Sequence, residues 1–140
     1  MLHIFSSEGR RLVKRSSLSE LELGKGLIWI DAVSPDADER QAIQDLFQVA
    51  LEIVEDDADI ETSARIFLDK LDHLNVRADF LVELNGKITT EPVRFVIAEN
   101  FLFSIHEEDL PIIRLVRMRS KADRRAWTSA LQIVIELFAL

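Results

Sequence analysis

From Leu74 to Leu84 the chain alternates, with Leu74, Val76, Ala78, Phe80, Val82 and Leu84 standing between Asn75, Arg77, Asp79, Leu81 and Glu83. Successive side chains of an extended strand point to opposite faces, so this spacing puts one apolar face on a core and the mostly polar set toward water. Asn85-Gly86 follows, a dipeptide suited to a two-residue hairpin because both residues tolerate positive φ. A second strand is expected from Ile88, and Pro92 marks an edge or a bulge in it because proline has no N–H for a ladder. Residues 93–98 and 101–105, separated by Glu99-Asn100, complete a largely antiparallel meander of three or four strands.

Upstream, residues 2–5 (LHIF) and 11–15 (RLVKR) are short strand candidates around the turn-prone SSEG. Residues 27–30 form a compact apolar strand between Gly26 and Asp31. Ser34 is placed to cap a helix with Pro35 at its first position, and Asp36, Asp38 and Glu39 suit the positive end of the helix dipole. Ala42, Ile43, Leu46, Phe47 and Ala50 recur at helical spacing and predict one buried face. A second short helix is expected over residues 51–57.

Helices return after the SIHEED cluster, over residues 110–120 and from about residue 122 to the end. In the last segment, AWTSALQIVIELFAL, Trp127, Leu131, Val134, Ile135 and Phe138 make one stripe, which Ala130, Ile133 and Leu137 widen. A helix apolar nearly all round requires cover on every side, which predicts packing against other subunits or continuation into a longer helix. The elements together predict a single layered α/β (α+β-like) domain over 1–140, with a mixed, largely antiparallel sheet flanked by helices.

Composition narrows the function. The 140 residues carry a formal net charge of -8 and no cysteine, which excludes disulfides and thiolate metal sites and argues against nucleic acid as a partner. No signal peptide is read at the N-terminus, and no apolar run is long enough to span a bilayer. The charge is uneven: ten acidic residues and one basic residue, Arg40, lie between Asp36 and Glu61, while six basic residues and Asp123 lie between Arg114 and Arg125. Each block is a solvated helix face or a place for an oppositely charged partner, divalent cations in the acidic case.

The candidate sites are weaker than the fold signal. SIHEED (104–109) reads as a strand exit and helix start, since consecutive ligands at such a junction point in different directions. EDDADIE (55–61) lacks the alternating ligands and glycine of a calcium loop, and reads as a solvated helix end or a weak outer-sphere magnesium site. His3, His73 and His106 show no zinc-ligand spacing, and no nucleophile elbow, phosphate loop or dinucleotide fingerprint is present, so an enzyme is not expected.

Taken in order, the segments carry a resemblance. Trp29-Ile30-Asp31 with SPDADERQAIQDLF, then ALEIVEDDADIETSARIFLDKLDHLNV, TEPVRFVIAENFLFSIHEED and PIIRLVRMRSK, resemble the cytoplasmic domain of the CorA family of divalent-cation transporters over residues 25–140. The resemblance implies a cytoplasmic regulatory domain of an inner or plasma membrane protein, whose final helix leads into a stalk. It implies a homo-oligomer, a pentamer in the intact transporter, with divalent cations as partners and the membrane reached only through a C-terminal part. It also implies weakly bound magnesium, with cobalt or zinc as alternatives, held between subunits so that the ion biases gating. The strand region offers Asp79 and Glu83 as the carboxylates of such an intersubunit site. The stalk, the two membrane helices and the Gly-Met-Asn pore signature of the family are missing, so the chain is expected to be a fragment that does not itself conduct. The alternative expectation is a stand-alone oligomeric interaction module without metal sensing.

Overall fold

The computed structural model describes residues 1–9, 11–49, 66–69, 71–122 and 129–139. Its strands are β1 (Leu2–Glu8), β2 (Arg11–Arg15), β3 (Ile28–Val33), β4 (Ile66–Leu68), β5 (Leu74–Leu84), β6 (Lys87–Ile97) and β7 (Phe101–His106). The helices are α1 (Ala37–Phe47), α2 (Pro111–Ala122) and α3 (Ala130–Ala139). The strands form one seven-stranded sheet in the order β2-β1-β3-β7-β6-β5-β4. Among the described residues only β3 and β7 run parallel, and the other neighbouring pairs are antiparallel. The N-terminal strands and the meander are therefore halves of one sheet, joined at the parallel pair.

The hairpin forms as its sequence predicts. Leu84 faces Lys87 across Asn85 (φ 54°) and Gly86 (φ 78°), both left-handed, and the register runs unbroken back to Leu74 opposite Ile97. No bulge occurs at Pro92. On β6, strand β7 meets only Arg94–Ile97, so among the described residues Pro92 has a strand neighbour on one side alone. That is an edge in the sense proline requires.

The two faces of the sheet carry two apolar clusters. Trp29, Phe95, Leu102 and Val93 lie on one face with Ile113 and Val116 of α2 and Ile133 and Leu137 of α3. Ile28, Ile30, Phe103, Ile105 and Val96 lie on the other with Ile43 of α1 and Val49. Helices thus cover both faces, the layered α/β arrangement. On β5 the alternating residues Leu74, Val76, Ala78, Phe80 and Val82 pack against the α2/α3 cluster, partly buried as a half-wet strand demands.

Three expectations change in detail. The first helix is capped by Asp36, not Ser34: Asp36 Oδ1 accepts from the Glu39 amide at 2.7 Å and Glu39 Oε1 accepts from the Asp36 amide at 3.1 Å, a reciprocal capping box. Its buried face is narrower than predicted. Ile43 is buried and Phe47 half-buried, but Ala42 and Leu46 are exposed. On α3 the residues turned inward are Ala130, Ile133, Val134 and Leu137, while Leu131, Ile135 and Phe138 of the expected stripe stay more than half exposed. Ala50, Trp127, the helix expected over 51–57 and the acidic run 55–61 lie outside the described residues.

Candidate functional site

A chain of polar side chains runs through the α2/α3 face, built by the parallel register of β3 and β7. Asp31 lies opposite Ser104 and Val33 opposite His106. Alternation therefore brings Trp29 and Asp31 of β3 and Ser104 and His106 of β7 onto one face. Asp31 and Ser104 are completely buried, and His106 and Arg117 nearly so. Polar groups this deep must find partners or cost several kcal/mol, on the order of 1–3 for each unmet bond.

Every one of them is met. Trp29 Nε1 donates to Ser104 Oγ at 3.0 Å, and the Ser104 hydroxyl donates to Asp31 Oδ1 at 2.7 Å. His106 Nε2 donates to the same carboxylate oxygen at 2.7 Å, and Nδ1 meets the Glu108 carbonyl. From α2, Arg117 donates through Nη1 to Asp31 Oδ2 and through Nη2 to Asp109 Oδ1, the latter at 2.9 Å. Trp29 also stacks on Phe5, with ring centroids 5.2 Å apart, which fixes the indole that begins the chain. The result pins the start of α2 to the centre of the sheet.

Arg117 bridges Asp31 and Asp109, and the His106 ring lies against Asp31. Burial alone would lower the pKa of His106, but the hydrogen bond and charge of Asp31, with the Glu108 carbonyl, overcome it and hold the ring above its ordinary value despite the nearby Arg117. For Asp109, burial works to raise the carboxyl; the Arg117 and Arg114 guanidiniums win and keep it below its ordinary range. His3, opposite Asp31 on β1, goes the other way: burial and the Arg117 charge lower it more than Asp31 raises it.

SIHEED is the strand exit and helix start that its sequence predicts, and the stretch is tied down at several points. The Ser34 hydroxyl donates to Glu107 at 3.0 Å. The Glu107 and Glu108 amides both donate to Glu91 Oε1, at 3.1 and 3.2 Å. Asp109 receives Arg114 and Arg117. The four side chains do not converge, and no group of three or more ligating side chains occurs among the described residues. His73 sits apart, edge to face with Phe101 at 5.3 Å.

Asp79 and Glu83 both lie on β5, exposed, on the face away from α2 and α3. Four residues of strand separate them by roughly 13 Å at a rise of about 3.4 Å per residue. One chain therefore does not bring them to a single ion. The residues that sequence reasoning missed are Asp31, Ser104 and Arg117. A signal existed: Asp31, Ser104 and His106 are polar residues at inward positions of otherwise apolar strands, and buried polar groups require one another.

Comparison with known proteins decides the family. The family model described as CorA-like Mg2+ transporter protein matches residues 24–140. The chain belongs to this family. The magnesium transport protein CorA of Mannheimia succiniciproducens is 34% identical over 139 residues, which is 99% of this chain and 43% of that protein. Its namesake in Escherichia coli K12 gives the same identity and the same coverage. The chain thus spans 43% of the length of these CorA relatives. Among solved structures, the CorA magnesium transporter of Methanocaldococcus jannaschii superposes with a TM-score of 0.73 at 16% identity, covering 99% of this chain and 43% of that one. The ZntB cytoplasmic domain of Vibrio parahaemolyticus gives 0.70 at 12% identity, covering 98% and 55%. These structures share the fold. The CorA family is one of ion transporters rather than enzymes. Among the described residues no helix is long and apolar enough to cross a membrane.

Proposed function

We propose that this chain is the cytoplasmic regulatory domain of a CorA-like divalent-cation transporter, working as part of a homo-oligomer, a pentamer in the intact protein. The observation that carries the reading is identity of 34% to magnesium transport proteins along 139 residues, nearly the whole chain. Magnesium is the ion assigned, with cobalt and zinc as the ions to compare against it. The ion binds weakly between subunits and stabilises the closed arrangement, and a ligand shifts a population only by its preference for one state over another.

Asp79 and Glu83 are the carboxylates assigned to that boundary. Their separation on β5 supports two half-sites completed by a neighbouring copy or by the stalk, rather than one chelate within a chain. Leu131, Ile135 and Phe138, exposed along α3, supply an apolar surface consistent with subunit packing.

The test is a chimera in which residues 1–140 replace the matching part of the Escherichia coli magnesium transport protein CorA, with magnesium uptake followed in vesicles. Uptake should fall as lumenal magnesium on the cytoplasmic side rises, and Asp79→Lys with Glu83→Lys should weaken that inhibition. Uptake by an inserted chimera that ignores cytoplasmic magnesium would refute sensing. An oligomer that persists in chelator would then favour an interaction module instead.

A further inference from the structure

The buried histidine has two acceptors and one too few protons in its neutral form. A neutral imidazole carries a single N–H; its other nitrogen is an acceptor. His106 Nδ1 meets a backbone carbonyl, which has no proton to give. His106 Nε2 meets Asp31 Oδ1, which already accepts from the Ser104 hydroxyl, while Oδ2 of the same group accepts from Arg117. Apart from the ring, the carboxylate already takes a hydroxyl donor and a guanidinium donor, which leaves it an acceptor toward the ring. With an acceptor set against each ring nitrogen, the arrangement is the one that a doubly protonated ring satisfies in full.

We propose that His106 is a proton-operated latch, holding the 107–110 connection and the first turn of α2 against the sheet while its ring is doubly protonated and releasing them when one proton leaves. Loss of that proton sets a nitrogen lone pair against an oxygen lone pair at one of the two contacts. Asp31 is fixed by Ser104 and Arg117, so the contact that yields is the Glu108 carbonyl, on an exposed bend. That bend is otherwise tied by the Glu107 and Glu108 amides on Glu91 and by Ser34 on Glu107. It leads directly into Pro111, where α2 starts.

The groups facing the ring come from every neighbouring element. Asp31 of β3 and Arg117 of α2 touch the cluster, Asp109 closes it, and His3 of β1 lies opposite Asp31 with Lys14 of β2 beyond. Glu91 of β6 and Glu107 and Glu108 flank the bend. His3 is held toward its neutral form by burial and Arg117 and so does not duplicate the switch. The folded chain holds the His106 proton more tightly than the unfolded chain does. The latch therefore contributes fully below the ordinary histidine value of 6.5 and is lost as pH rises through the higher folded value. The device is independent of whether the chain senses an ion.

The experiment uses the full 140-residue chain. Ring-nitrogen NMR should show both His106 nitrogens protonated at about pH 6 and one proton lost above the ordinary histidine range. Across that step, amide exchange at residues 107–115, corrected for intrinsic chemistry, should accelerate by up to about tenfold for each unit by which the folded value exceeds 6.5. His3→Gln should keep the step and His106→Gln should abolish it. A ring neutral at about pH 6 overturns the proposal. So does a titrating ring that leaves exchange at 107–115 unchanged. Both readings come from the unsubstituted chain, so they stand even if His106→Gln does not fold.

Discussion

Replacing Asp31 by Asn should be among the most damaging single changes available to this chain. Asn keeps an oxygen for Ser104 and His106 but turns an amide NH2 toward Arg117, donor against donor. The Arg117 side chain is 8% exposed and cannot turn to water, so it is left with Asp109 alone. His106 loses the anion that keeps its second proton. Removing one partner of a buried pair costs about 3–5 kcal/mol, of a total stability of roughly 5–15 kcal/mol for a domain. Arg117→Met should cost less, about 2–3 kcal/mol, because Asp31 retains Ser104 and His106 and the 38% exposed Asp109 side chain returns to solvent. The double variant should fall short of the sum by about 1–3 kcal/mol, since neither charge is then stranded. Urea unfolding followed by tryptophan fluorescence measures all three, Trp29 being fully buried beside the cluster. Additivity within about 0.5 kcal/mol, or an Asp31→Asn cost under about 1 kcal/mol, would refute the view that these residues form one unit.

Gly26 holds φ +89°, and a Cβ there would lie 2.1 Å from Ser7 Oγ, which itself receives the Leu27 amide. Gly26→Ala should lower stability by about 1–3 kcal/mol in the same unfolding assay, with partial relief on adding Ser7→Ala. Asp36→Ala removes the capping box of α1 and should cost about 1 kcal/mol, visible as faster amide exchange in the first turn of that helix. Asp109, held below its ordinary 3.8 by the two arginines, stabilises the fold above that pH and loses its contribution as pH falls through the lower folded value. The gap in acid stability between the parent chain and Asp109→Asn should therefore close in strongly acid solution.

The elements that were legible are those whose signal is local. Alternation with Asn85-Gly86 gave β5, the turn and β6 with their register, because side-chain period and turn geometry act over a few residues. Two misses have equally local causes. Ser34 reads as a cap, yet it sits at φ 44° with its hydroxyl on Glu107, because the reciprocal pairing of Asp36 with Glu39 offers the helix a better start. The short β4 is exposed at all three positions and is held by pairing with β5, so its three residues carry neither the length nor the alternation that marks a strand. On α3, an all-round apolar pattern identifies a buried helix without stating which side turns inward. The structure chooses Ala130, Ile133, Val134 and Leu137.

The polar cluster was legible only as separate inward polar residues, and its assembly was hidden for a different reason. Asp31 and Ser104 are 73 residues apart, and they meet only because β3 and β7 lie side by side and parallel. No local pattern encodes that adjacency. Yet once the pairing is given, the cluster follows almost residue by residue. An inward Asp on an apolar strand needs donors, the strand beside it offers Ser and His at inward positions, and the helix that covers that face carries Arg117. A core filled with apolar side chains at these positions would bury no charge and would often be as stable or more so. What the charged version adds is a dependence on a single proton at His106, and with it a mounting for α2 that responds to the medium. The order of causes then runs from strand pairing to charge balance to a helix whose attachment is conditional, and each link is open to measurement on its own.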